Sequence, residues 1–222
     1  MSNRALTVLV TEERMSKMIA TTEKLIAALK NRNYDVSYFD TKEQAAEHIA
    51  GQITGKTVGF GDSETLLSMK MYEKLCADET NEVYSPKHPP EGMSFNDVGK
   101  ICLTTDIFLT SVNAVTQDGM LVNLDSTGNR VAGSLFGHEK VYFVLGTNKI
   151  CADLDAAIDH VRNYVAPANS RRHGYSTPCA KGEMRCYECS SEDRICNALV
   201  IHYKKMKYTE AEVVLIGEEL GL

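Results

Sequence analysis

The chain has 222 residues and a mass of 24.6 kDa, with 43% apolar residues, 24 basic and 30 acidic side chains, and a net charge of −6 with His neutral. That length suits one domain, and the apolar share supports a core burying about 70% of the unfolded surface, which excludes disorder as the main state. The acidic balance argues against a general nucleic-acid or anionic-membrane binder; no apolar run approaches the roughly 20 residues that cross a bilayer, and the opening MSNRALTVLVTEERM has too short an apolar stretch for a secretory signal, so a cytoplasmic protein is expected.

Residues 11–32 place Met15, Met18, Ile19, the Thr22 methyl, Leu25, Ile26 and Leu29 at three- and four-residue spacing, which predicts an amphipathic helix. Glu12 and Glu13 suit its first turn and Asn33 its end. A short strand is expected over 34–39. Thr41 and Gln44 form a capping box for a helix carrying Ala45, Ala46, Ile49 and Ile53 and closed by Gly55. Residues 57–60 read as a strand running into the tight loop Gly61-Asp62-Ser63-Glu64-Thr65, then a helix with Leu66, Leu67, Met71 and Leu75.

Pro86, Pro89 and Pro90 mark an extended loop, and Ser94 with Asp97 caps a helix ending near Thr104. A strand over 106–111 precedes two runs, 112–116 and 120–124, that flank Asp118-Gly119, a dipeptide suited to a hairpin turn. A buried strand over 141–145 ends in Gly146-Thr147-Asn148-Lys149. Leu154, Ala157, Ile158, Val161 and Val165 then make one helix stripe that Pro167 stops. Final strands are expected over 198–203 and 212–216. This alternation predicts one α/β domain with a mainly parallel sheet flanked by helices. Residues 167–197 have no clear periodicity, and so long a structureless excursion needs something to hold it.

Four of the seven cysteines fall there, as Cys179-x6-Cys186-x2-Cys189-x6-Cys196. Thiolates at such spacing suit zinc, copper(I) or an iron-sulfur cluster, although the pattern matches neither paired zinc-ribbon knuckles nor a ferredoxin run. A redox dithiol at Cys186 and Cys189 is an alternative. His173 is a further ligand candidate or a bystander, and Cys76, Cys102 and Cys151 read as small core residues. Backbone N–H groups and hydroxyls of Gly61, Ser63 and Thr65 suit an anion at a helix start, while Asp62 and Glu64 would repel a dianion; a plain capped helix start is the competing reading.

The densest polar stretch is TSVNAVTQDGMLVNLDSTGNR, residues 110–130. Asn123 and Asp125 share one strand face ahead of Ser126-Thr127-Gly128-Asn129-Arg130. These groups can orient an anionic or hydroxylated ligand, or satisfy their own turn. Arg171 and Arg172 can meet an anion or stay solvated, and Lys204, Lys205 and Lys207 suit an exposed strand edge.

The blocks DIFLTSVNAVTQDGMLVNLDSTGNRVAG, KVYFVLGTNKI, VGFGDSETL and VVLIGEELGL together resemble the LUD domain, the lactate-utilisation protein family, from about residue 15 onward. The resemblance implies a fold similar to ribose-5-phosphate isomerases and CoA transferases, with the ligand site in loops at strand C-termini. Carried over, it points to Gly61, Ser63, Thr65, Thr110, Ser111, Asn113, Asn123, Asp125, Thr127, Gly128, Asn129 and Arg130. Members tied to lactate oxidation work within multi-subunit iron-sulfur systems. The segment STPCAKGEMRCYECSSEDRIC instead resembles stand-alone LUD proteins with a C-terminal four-cysteine segment, and no G-x-G-x-x-G is present.

The expectation is therefore a redox-associated LUD protein that binds a small organic acid or related anion beside a four-iron cluster or zinc at Cys179, Cys186, Cys189 and Cys196. Redox partner proteins are implied, nucleic acid and membrane are not, and assembly into a homo-oligomer stays open. Two alternatives are a binding or assembly module pinned by structural zinc, and an isomerase or hydrolase with Asp125 as general base and Arg130 as anion clamp.

Overall fold

The structure, a computed structural model, describes residues 12–222, with side chains from Ala20 onward. The predicted helix start at Thr11 and the side chains of Met15, Met18 and Ile19 lie outside the described residues.

Among these residues, six parallel strands form the main sheet: β1 (Asp35–Phe39), β2 (Thr57–Phe60), β3 (Glu82–Tyr84), β4 (Ile107–Thr110), β7 (Lys140–Gly146) and β10 (Glu210–Ile216). Their spatial order is β1-β10-β7-β4-β2-β3. The centre of the sheet is apolar on both faces, as expected where helices cover a parallel sheet. Tyr142 and Val144 of β7, with Val214 and Ile216 of β10, pack under α2 (Lys42–Ala50), α3 (Glu64–Ser68) and α4 (Met71–Cys76). The alternate residues Val141, Phe143, Leu145, Val213 and Leu215 face α1 (Glu12–Asn31) and α5 (Phe95–Cys102).

Beyond that second face lies a four-stranded mixed sheet, ordered β8 (Ile150–Cys151), β5 (Ala114–Thr116), β6 (Leu121–Asp125), β9 (Ala198–His202). Val115 and Leu121 join the core under the main sheet, while Ala114 and Val122 pack against Ala157, Val161 and Val165. The expected Asp118-Gly119 hairpin joins β5 to β6, with Gly119 at φ +88°.

Several expected boundaries move. The capping box Thr41–Gln44 opens α2, but the helix ends at Gly51, leaving Ile53 buried in the following turn and Gly55 beyond it. The helix expected across Leu66–Leu75 breaks in two at Lys70, whose φ is +53°. The box Ser94–Asp97 opens α5 as expected, and the helix ends at Cys102. β3, between the broken helix and the proline loop, had no clear signal in its three residues.

Pro167 does not stop its helix. The chain runs from α7 (Leu154–His160) through a π-helical turn, Val161–Val165, into α8 (Ala166–Arg172). Pro167 sits in the first positions of α8, and the wider turn before it takes up the break where a proline has no N–H to give. α6 (Asn129–Leu135) and the short α9 (Pro178–Lys181) complete the helices named here. Lys204, Lys205 and Lys207 follow β9 rather than edging a strand, and Lys205 Nζ donates to the carbonyls of Met206 and Thr209 at 3.0 and 2.9 Å. Cys102 is buried as expected, Cys151 is half-buried, and Cys76 is exposed, against its reading as a core residue.

Candidate functional site

The loops leaving the carboxyl ends of β2, β4, β7 and β10 gather at one end of the main sheet, the usual place for ligands in open α/β folds. A cavity of 510 Å³ opens there, and a smaller one of 80 Å³ shares seven of its lining residues, among them Arg130, Asn113, Asn169 and Arg172.

The 110–130 stretch builds one wall. Asp125, at the end of β6, accepts the Gly128 N–H at 2.8 Å through Oδ1 and Arg130 Nε at 2.8 Å through Oδ2. Arg130 Nη2 also donates to Asn113 Oδ1 at 3.1 Å and to the Leu124 carbonyl at 2.8 Å. The guanidinium is thus locked edge-on into the second sheet. Gly128 supplies the turn at φ +87°, a conformation open to glycine without the strain other residues meet there. Thr127 and Asn129 bond each other and, with Asn113, Asp125 and Arg130, face the larger cavity.

The second wall is the loop after β2. Ser63 caps α3, accepting the Leu66 N–H at 3.3 Å, which is the plain helix-start reading. Ser63 and Thr65 also line the smaller cavity and Gly61 the larger. Lys87, from the proline loop, pairs with Glu64 at 2.5 Å and Asp62 at 3.2 Å, and Arg172 reaches Glu64 at 2.6 Å from the end of α8. Burial raises the Glu64 carboxyl, but Lys87 and Arg172 together outweigh it and hold the group below its ordinary range.

The floor is Lys149, which follows β7 at the end of a 3-10 turn and is 3% exposed. Its Nζ donates to Ser111 Oγ and the Val112 carbonyl, both at 2.9 Å, and to Thr65 Oγ1 at 3.3 Å. No carboxylate pairs with it among the described residues. Burial, helped by the charge of Arg130, pushes its pKa down to about 7. Gly146 fixes the approach of this turn: a Cβ there would meet Leu220 N at 2.8 Å and Asn148 Oδ1 at 2.6 Å.

Across the two cavities four cationic side chains, Lys87, Arg130, Lys149 and Arg172, stand against three acidic side chains, Asp62, Glu64 and Asp125, and the final residue, Leu222, also lines the smaller cavity.

Most of the expected ligand residues come together here. Thr110, Asn123 and Gly128 do not line either cavity; Thr110 and Asn123 are fully buried beneath it, with Asn123 Oδ1 accepting the Asn113 N–H at 3.3 Å. Sequence reading missed Lys149, Lys87 and Asn169. A single lysine just beyond the end of a buried parallel strand was the available signal for the first. Of the arginine pair, Arg172 enters the site and Arg171 instead ties the carbonyls of Ala180 and Gly182 at 3.2 and 2.8 Å.

The four-sulfur site expected at Cys179, Cys186, Cys189 and Cys196 is not formed in this structure: among the described residues no three His, Cys, Asp or Glu side chains make a metal-binding group. Cys179 Sγ lies 3.3 Å from Thr177 Oγ1, and Cys186 Sγ accepts from the Glu188 N–H at 3.4 Å and from Arg162 Nη2 at 3.6 Å. Hydrogen bonds hold the excursion instead. Arg194 donates to the carbonyls of Cys189 and Cys196 at 2.7 and 3.1 Å, Asp193 Oδ2 takes the Ser176 N–H at 2.8 Å, and Asn163 Oδ1 takes the Cys186 N–H at 2.8 Å. His173 stacks on Tyr175 at 5.3 Å and lines the larger cavity.

The family profile of the LUD domain matches residues 22–216. The chain belongs to the LUD-domain family. This LUD protein is therefore lactate-utilisation-like, as its central block implied. A crystal structure of a DUF162 family protein from Deinococcus radiodurans is similar over 91% of this chain and 98% of that one, with a TM-score of 0.50 and 12% identity, which shows a shared fold. The crystal structure of eIF2B beta from Chaetomium thermophilum is similar over 64% of the LUD chain and 47% of its own, with a TM-score of 0.30 and 12% identity, too distant to carry an argument. No curated protein matches the sequence. Among the described residues no helix is long and apolar enough to cross a membrane.

Proposed function

We propose that this LUD protein binds a small organic acid or related anion in the paired cavities at the carboxyl end of its main sheet. The observation that carries the reading is Lys149: a buried cation without a carboxylate partner, lining the smaller cavity beside Arg130 and Arg172. A charge buried without a counter-ion is costly, and an anion entering the cavity relieves that cost. Arg130 and Arg172 already spend part of their donor capacity on Asp125 and Glu64, so they orient a ligand, while Lys149 supplies the unmatched charge. Asn113 and Asn169 offer neutral donors and acceptors between them.

Asp125, the general base of the isomerase or hydrolase alternative, anchors the Gly128 N–H and Arg130 Nε through its two oxygens, and that positioning of the turn and the arginine is the role taken here. Electron transfer through a cluster at the four cysteines, or a zinc pin there, is not part of the proposal, because among the described residues no three metal-ligating side chains come together.

Calorimetric titration with acetate, L-lactate, pyruvate and inorganic phosphate tests it. At least one should bind, and Lys149→Met should weaken that binding about tenfold or more, since a charge-assisted hydrogen bond is worth about 1.5–3 kcal/mol. Failure of all four anions to bind, or unchanged affinity in the variant, overturns the reading.

A further inference from the structure

Lys149 offers more than charge. From the juxtaposition of an unpaired amine with two arginines in one small cavity, we infer that Lys149 condenses with the carbonyl carbon of a 2-oxo acid, whose carboxylate Arg130 and Arg172 hold. The inference rests on the anion-binding reading and names the ligand class.

Three observations support it. The first is placement: Nζ, Arg130 and Arg172 line the same 80 Å³ cavity, which admits a ligand of only a few heavy atoms. A carboxylate directly attached to a carbonyl puts the anionic group and the electrophilic carbon one bond apart, which matches an amine standing beside an arginine clamp. The second is the state of the amine. Asp62 and Glu64 face the same cavity but are held by Lys87 and Arg172, Arg130 repels a proton from Nζ, and His160 and the final residue Leu222 are also near, but among the described residues no carboxylate lies within ion-pair distance of Nζ. With its pKa near 7, about half the amine is neutral at pH 7, roughly a thousandfold more than for a solvated lysine.

The third is hydrogen bonding. The neutral amine has two N–H groups, which match the two 2.9 Å acceptors, Ser111 Oγ and the Val112 carbonyl; the 3.3 Å contact to Thr65 is the one given up as the lone pair turns to the carbonyl. The Ser111 and Thr65 hydroxyls, 3.4 Å apart, stand beside Nζ to pass protons. In the step, Nζ forms a bond to the carbonyl carbon and the carbonyl oxygen leaves as water, carrying both amine protons. The product is an imine, and no electrons are transferred between the partners.

The test uses pyruvate with sodium cyanoborohydride, which reduces an imine to a stable secondary amine, followed by peptide mass mapping of the whole chain. The expected result is one adduct per chain at Lys149, carrying one carboxyethyl group, formed much faster than at any exposed lysine and suppressed by acetate. Lys149→Arg, which has no amine able to form an imine, should lose the adduct. Pyruvate binding to the native chain without an adduct at Lys149, or adducts spread over exposed lysines alone, overturns imine formation and leaves the anion site standing. Absence of both pyruvate binding and adduct overturns the imine, and the anion site falls with it only if acetate, L-lactate and phosphate also fail to bind.

Discussion

Substituting Lys149 by Met gives the sharpest physical test of the site. In the unfolded chain the amine takes its ordinary pKa of 10.5, and in the folded chain about 7. Between those values the unfolded state binds a proton that the native state does not, so the contribution of this group to stability rises with pH. The full shift corresponds to about 5 kcal/mol, and the part accumulated from pH 7 to pH 9 is about 2 kcal/mol. Below pH 7 both states are protonated and the slope from this group vanishes. Urea unfolding of both proteins at intervals from pH 6 to pH 9 isolates it: the native chain should gain about 2 kcal/mol on the Met variant between pH 7 and 9. The offset at a single pH is less informative, because the variant also takes the Nζ donor from the Val112 carbonyl and leaves it only Ser111 Oγ at 3.3 Å, at about 1 kcal/mol. Parallel stability curves across that range would refute the depressed pKa and with it the unmatched buried cation.

An anion that prefers the Lys149 ammonium must bring a proton with it above pH 7, so its affinity should fall toward tenfold per pH unit from pH 7 to 9 and stay flat below; titration calorimetry in two buffers of different ionisation enthalpy would show the proton uptake directly. Asp125→Asn keeps the Gly128 contact but weakens the hold on Arg130, and should weaken anion binding several-fold while leaving the circular dichroism spectrum unchanged; affinity equal to the native chain would remove Arg130 from the site. Gly133→Ala places a methyl 2.5 Å from the Phe108 ring and should destabilise the fold by about 1–3 kcal/mol in urea unfolding. Cys186→Ser with Cys189→Ser should change stability by about 1 kcal/mol or less, whereas Arg194→Ala should speed hydrogen exchange over residues 189–197; elemental analysis of protein purified without oxygen completes this test, and metal lost from the double variant would show that the sulfurs close on an ion.

What the sequence by itself determined is local. The helix starts at the capping boxes Thr41–Gln44 and Ser94–Asp97 and the Asp118-Gly119 turn follow from bonds within a few residues, so they stand where the pattern puts them. The wall of the site carried by Asn113, Asp125 and Arg130 was legible for the same reason, being one hairpin and the turn after it. Tertiary structure decided the rest. Lys149 is an ordinary lysine after a strand until loops from β2 and β4, more than 80 and nearly 40 residues away, bury it without a carboxylate side chain in ion-pair reach. Arg172 reaches Glu64 only because the π-helical turn carries its helix past Pro167. Cysteine spacing fixes how far apart thiols lie along the chain, not where their side chains point, and Arg162, Asn163 and Arg194 hold that segment through contacts the spacing does not encode.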